Sequence, residues 1–81
     1  MTKVETGSVV ISKAGGDSGK IYIVVGFDEK GYALLTDGKR HKFGNPKRKN
    51  VRHIADTGRT VSVPKTDAAV VTAIRRLDLR Q

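Results

Sequence analysis

Apolar and polar positions alternate with a period of two through the first two thirds of the chain and shift to a helical period near its end. In SVVISK (8–13), Val9 and Ile11 fall on one side of an extended chain and Val10 on the other, as in a strand. KIYIVVGF (20–27) is apolar at nearly every position, which fits a strand covered on both faces within a small barrel. YALLT (32–36) returns as a third strand, with Tyr22, Phe27 and Tyr32 expected in the core or at its margin. The pattern allows a further strand over 39–43, interrupted at Asn45-Pro46 and resumed in NVRHIA (50–55), where Val51 and Ile54 are the expected core members. After an extended RTVSVP, residues 66–77 predict a helix. Val70, Ala73, Ile74 and Leu77 share one of its faces, Thr66 or Asp67 caps its start, and Arg75 and Arg76 suit its negative end. Two placements remain open for this helix, on the barrel or on a partner. The fold class is mainly β with a C-terminal α-helix.

Turn chemistry separates the strands. Gly31 in FDEKGY is expected in a left-handed conformation, and Asp37-Gly38 marks the next reversal. The first turn, AGGDSGK (14–20), contains fragments of two enzyme signatures. A serine nucleophile needs a base and a group that orients the base, yet in trypsin-like chains the histidine precedes the serine, and His41 and His53 both follow Ser18. A P-loop would need glycine where Ala14 stands and a hydroxyl where Ile21 stands, and it must open a helix. The segment therefore reads as a tight turn, with Gly15, Gly16 and Gly19 free to take positive φ. No acid, base and nucleophile cluster points to an enzyme or to a small-molecule substrate.

Charge changes this picture more than composition does. The chain of 81 residues carries a formal charge of +8, with 16 basic and 8 acidic side chains. Residues 39–53, KRHKFGNPKRKNVRH, hold Lys39, Arg40, Lys42, Lys47, Arg48, Lys49 and Arg52 and no acid. The rest of the chain has nine basic residues (16 − 7) against all 8 acids. Such a run is suited to RNA phosphates, since each neutralised phosphate releases a counterion and arginine adds a forked donor. Its plain alternative is a solvated charged face. Lys13 and Lys20 flank the first turn and extend the basic surface if the hairpin brings that turn near 47–52; otherwise they keep the strand ends soluble. Without cysteine or a close acid, His41 and His53 make a weak metal pair; they serve better as donors or stacking surfaces, His53 among the RNA contacts. Phe43 fits a buried position better than a stacking one. No metal or cofactor is expected. The length fits one small domain, the absence of cysteine excludes a disulfide framework, and no leader or membrane-spanning run is evident, so a cytoplasmic protein is expected.

GSVVISKAGGDSGKIYIVVGFDEKGYALLTDG resembles a KOW motif, with Gly19 at the family's glycine. SKAGGDSGKIYIVVG followed by DGKRHKFGNPKRKNVRHI is similar to bacterial KOW-domain RNA-binding proteins related to the eukaryotic-type large-subunit ribosomal protein L-fourteen-e. The resemblance covers residues 7–55, and its basic second half is the more distinctive part. Gly16 departs from it, standing where relatives often carry a basic residue. The resemblance implies an SH3-like barrel over 1–56, with 57–81 as an extended segment and helix attached to the same domain. It implies a protein of the ribosome or translation machinery that binds RNA, ribosomal RNA first, or ribosomal proteins; a non-catalytic monomer is expected. RNA would meet Lys13, Lys20 and the run 39–53. A second reading takes the barrel as a protein-interaction module that docks on RNA polymerase or a ribosomal protein, with the C-terminal helix as docking element.

Overall fold

The alternating SVVIS and the apolar IYIVVGF become the two central strands, β1 (Ser8–Ser12) and β2 (Ile21–Phe27), of the computed structural model, which describes residues 4–77. Around them lie β3 (Ala33–Thr36), β4 (Lys47–Lys49) and β5 (Ile54–Thr60). All pair antiparallel in one sheet ordered β4-β3-β2-β1-β5. The sheet curls without closing, since β4 and β5 are its two edges, an arrangement consistent with an SH3-like fold. Register shifts in the β2–β3 pairing (Val24/Gly26) and in the β1–β5 pairing (Ser8/Val10) supply local curvature.

Because successive residues of a strand point to opposite faces, the pairs Val10–Tyr22 and Val9–Ile23 seed two separate cores. Inside the curl, Val10, Tyr22, Val24, Ala33, Leu35 and Ile54 pack together. On the outer face, Val9 and Ile23 pack against Val70 of the C-terminal helix α1 (Asp67–Leu77). This explains why β2 is apolar on both faces, and it settles the placement of the helix: α1 lies on the sheet. Ala73 and Ile74 border the same cluster; the side chain of Leu77, expected on that face, lies outside the described residues. Thr66 Oγ1 accepts from Ala69 N at 3.1 Å and caps the helix. Asp67 instead accepts from Phe43 N at 2.6 Å, which ties the helix to the β3–β4 connection.

Three expectations need correction. Residues 39–43 form no strand: Asp37 Oδ1 accepts from the amides of Lys39 and His41, and Thr36 Oγ1 donates to His41 O, so the chain closes into a loop. The charged triplet Lys47–Lys49 takes the strand position instead, in register with Leu35, Leu34 and Ala33. Val51 is 41% exposed because Asn50 accepts from Arg52 N and caps a 3-10 turn, Val51–His53, which breaks the alternation before Ile54 restores it. Phe27, at the last position of β2, is likewise exposed.

Gly38, in the connection after β3, lies close against the start of the helix. Its φ is +76°, and a Cβ there would stand 2.6 Å from Asp67 O and 2.9 Å from Val71 Cγ2. Gly38→Ala should lower stability by about 3 kcal/mol, the upper part of the range for a strained backbone position, because the clash adds to the strain. Urea unfolding measures this, and a wild-type midpoint would show that the helix can shift away without loss.

Candidate nucleic-acid interface

The first turn is built around its acid. Ser12 and the turn's far end close the hairpin, with Ser12 N donating to Lys20 O at 2.9 Å and Gly19 N donating to Ser12 O at 2.8 Å. Gly15 and Gly19 take φ of 84° and 91°, as the glycine spacing predicts, whereas Gly16 does not adopt positive φ. That path turns Asp17 inward until its residue is 9% exposed. Ser12 Oγ and Lys49 Nζ donate to Oδ1 at 2.9 and 3.0 Å, Tyr22 OH donates to Oδ2 at 2.9 Å, and Lys47 Nζ lies 3.4 Å from Oδ2. Burial alone would raise the carboxyl's pKa, but donation from Lys49, Tyr22 and Ser12, with the charge of Lys47, holds it well below the usual carboxylate range. Burial pushes the Tyr22 hydroxyl well above its ordinary value, and its bond to Asp17 pushes the same way. Ser18 is exposed; the residue that organises this turn is Asp17, which sequence reasoning passed over.

The same contacts bring the two basic segments together. Lys49 Nζ also donates to Ala14 O at 2.9 Å, and Lys13 N donates to His53 O at 2.8 Å. The first turn and residues 47–53 thus form one surface, the condition on which Lys13 and Lys20 join it.

The basic run, acid-free in sequence, is not acid-free in space. Lys47 and Lys49 face Asp17, and Arg48 pairs with Asp28 while its guanidinium lies 4.0 Å above the Tyr32 ring. Asp28 is kept below the ordinary carboxylate range: its slight desolvation is outweighed by the Tyr32 amide, the Arg48 side chain and the Lys30 amide. The triplet 47–49 is therefore matched against two carboxylates. Lys13, Lys20, Lys39, Arg40, Lys42, Arg52 and His53 are all exposed, and among the described residues no carboxylate lies within ion-pair distance of any of them. Phe43 is half-buried.

Between the first turn and the β3–β4 connection opens a cavity of about 300 Å³. Gly16, Asp17 and Lys20 line one side, and Asp37, Arg40 and His41 the other. Tyr22 and Lys47 also contribute to its wall, and the rings of Tyr22 and His41 stand 6.0 Å apart at 57°. The charges of Asp37 and Arg40 both act on the Tyr22 hydroxyl, in opposite senses. No three His, Asp or Glu side chains among the described residues cluster as a metal site would, and no described helix is long and apolar enough to cross a membrane. No family model matches the chain, and no curated protein matches it.

Proposed function

We propose that this domain binds RNA without catalysis, in the cytoplasm and in association with the ribosome or translation machinery, as its resemblance to KOW-domain proteins implies. The observation that carries the reading is the convergence of the first turn on the basic run through the Lys13–His53 and Lys49–Ala14 bonds. It sets the exposed Lys13 beside the segment that carries Arg52 and His53, while Lys20 of the same turn and Arg40, both exposed, line the cavity. Lys47, Arg48 and Lys49 shape that surface more than they charge it, because carboxylates already face them. The protein-interaction reading loses the apolar face of its docking element, since Val70 is fully buried against the domain's own sheet.

Binding measured against salt tests the reading. With four to six phosphates neutralised, log affinity for single-stranded RNA should fall with log salt at a slope of about −3 to −4. Replacing Lys13, Lys39 and Arg52 together with glutamine should flatten the slope by about 2. A folded variant with an unchanged slope would move the RNA to another face, and absence of RNA binding at low salt would reject the function.

A further inference from the structure

The cavity has a composition that a simple phosphate cradle does not need. Phosphate is satisfied by cations and amides, yet here a carboxylate and an imidazole stand beside Lys20 and Arg40. The two carboxylates in the wall differ in what they have left to offer. Asp17 is saturated: Ser12, Tyr22 and Lys49 donate to it and Lys47 faces it. Asp37 spends Oδ1 on the amides of Lys39 and His41, and no described residue donates to its Oδ2. That leaves one carboxyl oxygen with open acceptor capacity, on a half-buried side chain at the wall of the cavity. On the other account, the side chains of Lys20 and Arg40 make no hydrogen bond or ion pair with a described residue. They present cationic donors without a partner.

An acceptor, two unpartnered cations and an imidazole face around one small volume match the parts of a single nucleotide. Its phosphate needs the cations, the donor groups on the edge of its base need the carboxylate, and its π-face needs a ring. A volume of about 300 Å³ stands at the lower end of small-molecule sites, which run from roughly 300 to 1,000 Å³. It suits one unstacked nucleotide and is too small for a paired one. The loops that form the walls are held by backbone and side-chain bonds that involve neither the Lys20 nor the Arg40 side chain, so the site is formed before anything enters it.

We infer that this cavity receives one unstacked nucleotide of the bound RNA, with phosphate on Lys20 and Arg40, base against His41, and Asp37 accepting from the edge of the base. This rests on the RNA-binding reading and adds a subsite to it. Asp37 can pair only with a base that donates. Guanine offers two adjacent donors, N1–H and the exocyclic amine, whereas uracil offers only its single N3–H between two carbonyl acceptors that a carboxylate repels. The subsite therefore prefers guanine over uracil, by roughly tenfold if one paired edge decides it.

Amide chemical shifts of the full chain, titrated with guanosine monophosphate, uridine monophosphate, inorganic phosphate and single-stranded RNA oligomers, test this. Guanosine monophosphate should move the amides of Gly16, Asp37 and His41 with saturation at roughly tenfold lower concentration than uridine monophosphate. Arg40→Gln, which removes no intramolecular bond, should abolish those shifts, and Asp37→Asn should remove the preference between the two bases. Equal response to inorganic phosphate and to guanosine monophosphate would reduce the cavity to a phosphate contact and overturn the nucleotide subsite. If an oligomer binds elsewhere while the cavity amides stay still, the subsite is wrong and the RNA-binding reading stands. If no oligomer binds at all, both fall.

Discussion

Asp17→Ala should destabilise the domain by about 3 kcal/mol and disorder the first turn, although the residue sits in a surface loop where alanine is normally tolerated. The magnitude follows from what the carboxylate leaves behind. Stripping one partner from a buried ion pair typically costs 3 to about 5 kcal/mol. The lower figure applies because the Lys47 side chain keeps 31% of its surface in water, while that of Lys49 keeps only 11%. Ser12 and Tyr22, buried to 1% exposure each, would also lose the oxygens to which they donate. Lys49→Met should be milder, because Asp17 retains Ser12, Tyr22 and Lys47. The double variant should be less destabilised than the sum of the two, by about 1 kcal/mol or more. Urea unfolding of the four proteins measures the coupling. Strict additivity would mean that Lys49 and Asp17 do not support one another.

The same network gives stability a defined pH window. A carboxyl whose folded pKa is depressed contributes fully above its unfolded value of about 3.9 and loses that contribution as pH falls below it. Tyr22 acts in the opposite direction. With its folded pKa raised, its contribution is complete below the unfolded value of about 10 and is lost as pH rises beyond it. Wild type should therefore lose stability on both sides of this window. Tyr22→Phe should blunt the alkaline loss and keep most of the acid one, while Asp17→Asn should blunt the acid loss.

The strands that could be read from the sequence are those whose partners are apolar and general. Val9, Val10, Tyr22, Ile23 and Leu35 are recognisable because any sheet that covers them will do. The turn glycines at 15, 19, 31 and 38 are readable for a local reason: each adopts the positive φ that its turn requires. What stayed hidden depends on particular partners far along the chain. Lys47–Lys49 looks like a loop of solvated charge, and it becomes a strand because Asp17 and Asp28, about 30 and 20 residues away, stand opposite its side chains. The candidate interface was legible in the same measure. Lys39, Arg40, Lys42 and Arg52 can be read from the run itself and Lys13 and Lys20 from the turn they flank, but which of the run's charges are already neutralised depends on acids outside it. Asp17 gave one usable signal, an acid enclosed by glycines in a chain whose main basic run lacks a local counter-charge.

The helix is the other long-range partner, and removing it should have the larger consequence. The main basic run ends well before Pro64, which suggests that a chain ending there folds. The packing argues otherwise. Val70 is fully buried, and Val9 and Ile23, themselves 2% and 0% exposed, owe their outer cover to it, with Ile21, Val61, Ala73 and Ile74 around them. Fully burying an aliphatic side chain contributes about 1.5–3 kcal/mol, so uncovering two strand residues while losing Val70 removes at most roughly 4.5–9 kcal/mol. Small domains lie towards the bottom of the usual range of about 5–15 kcal/mol. The deletion also cuts the Asp67–Phe43 bond and uncovers the Gly38 contact that hold the cavity's second loop. The chain truncated after Pro64 should therefore be largely unfolded at 25 °C, with collapsed amide dispersion and no cooperative urea transition. Val70→Ala in the full chain should reproduce part of the loss, about 2 kcal/mol. A dispersed spectrum and a sharp transition in the truncated chain would show that the curled sheet closes its core unaided, leaving the helix only a cover.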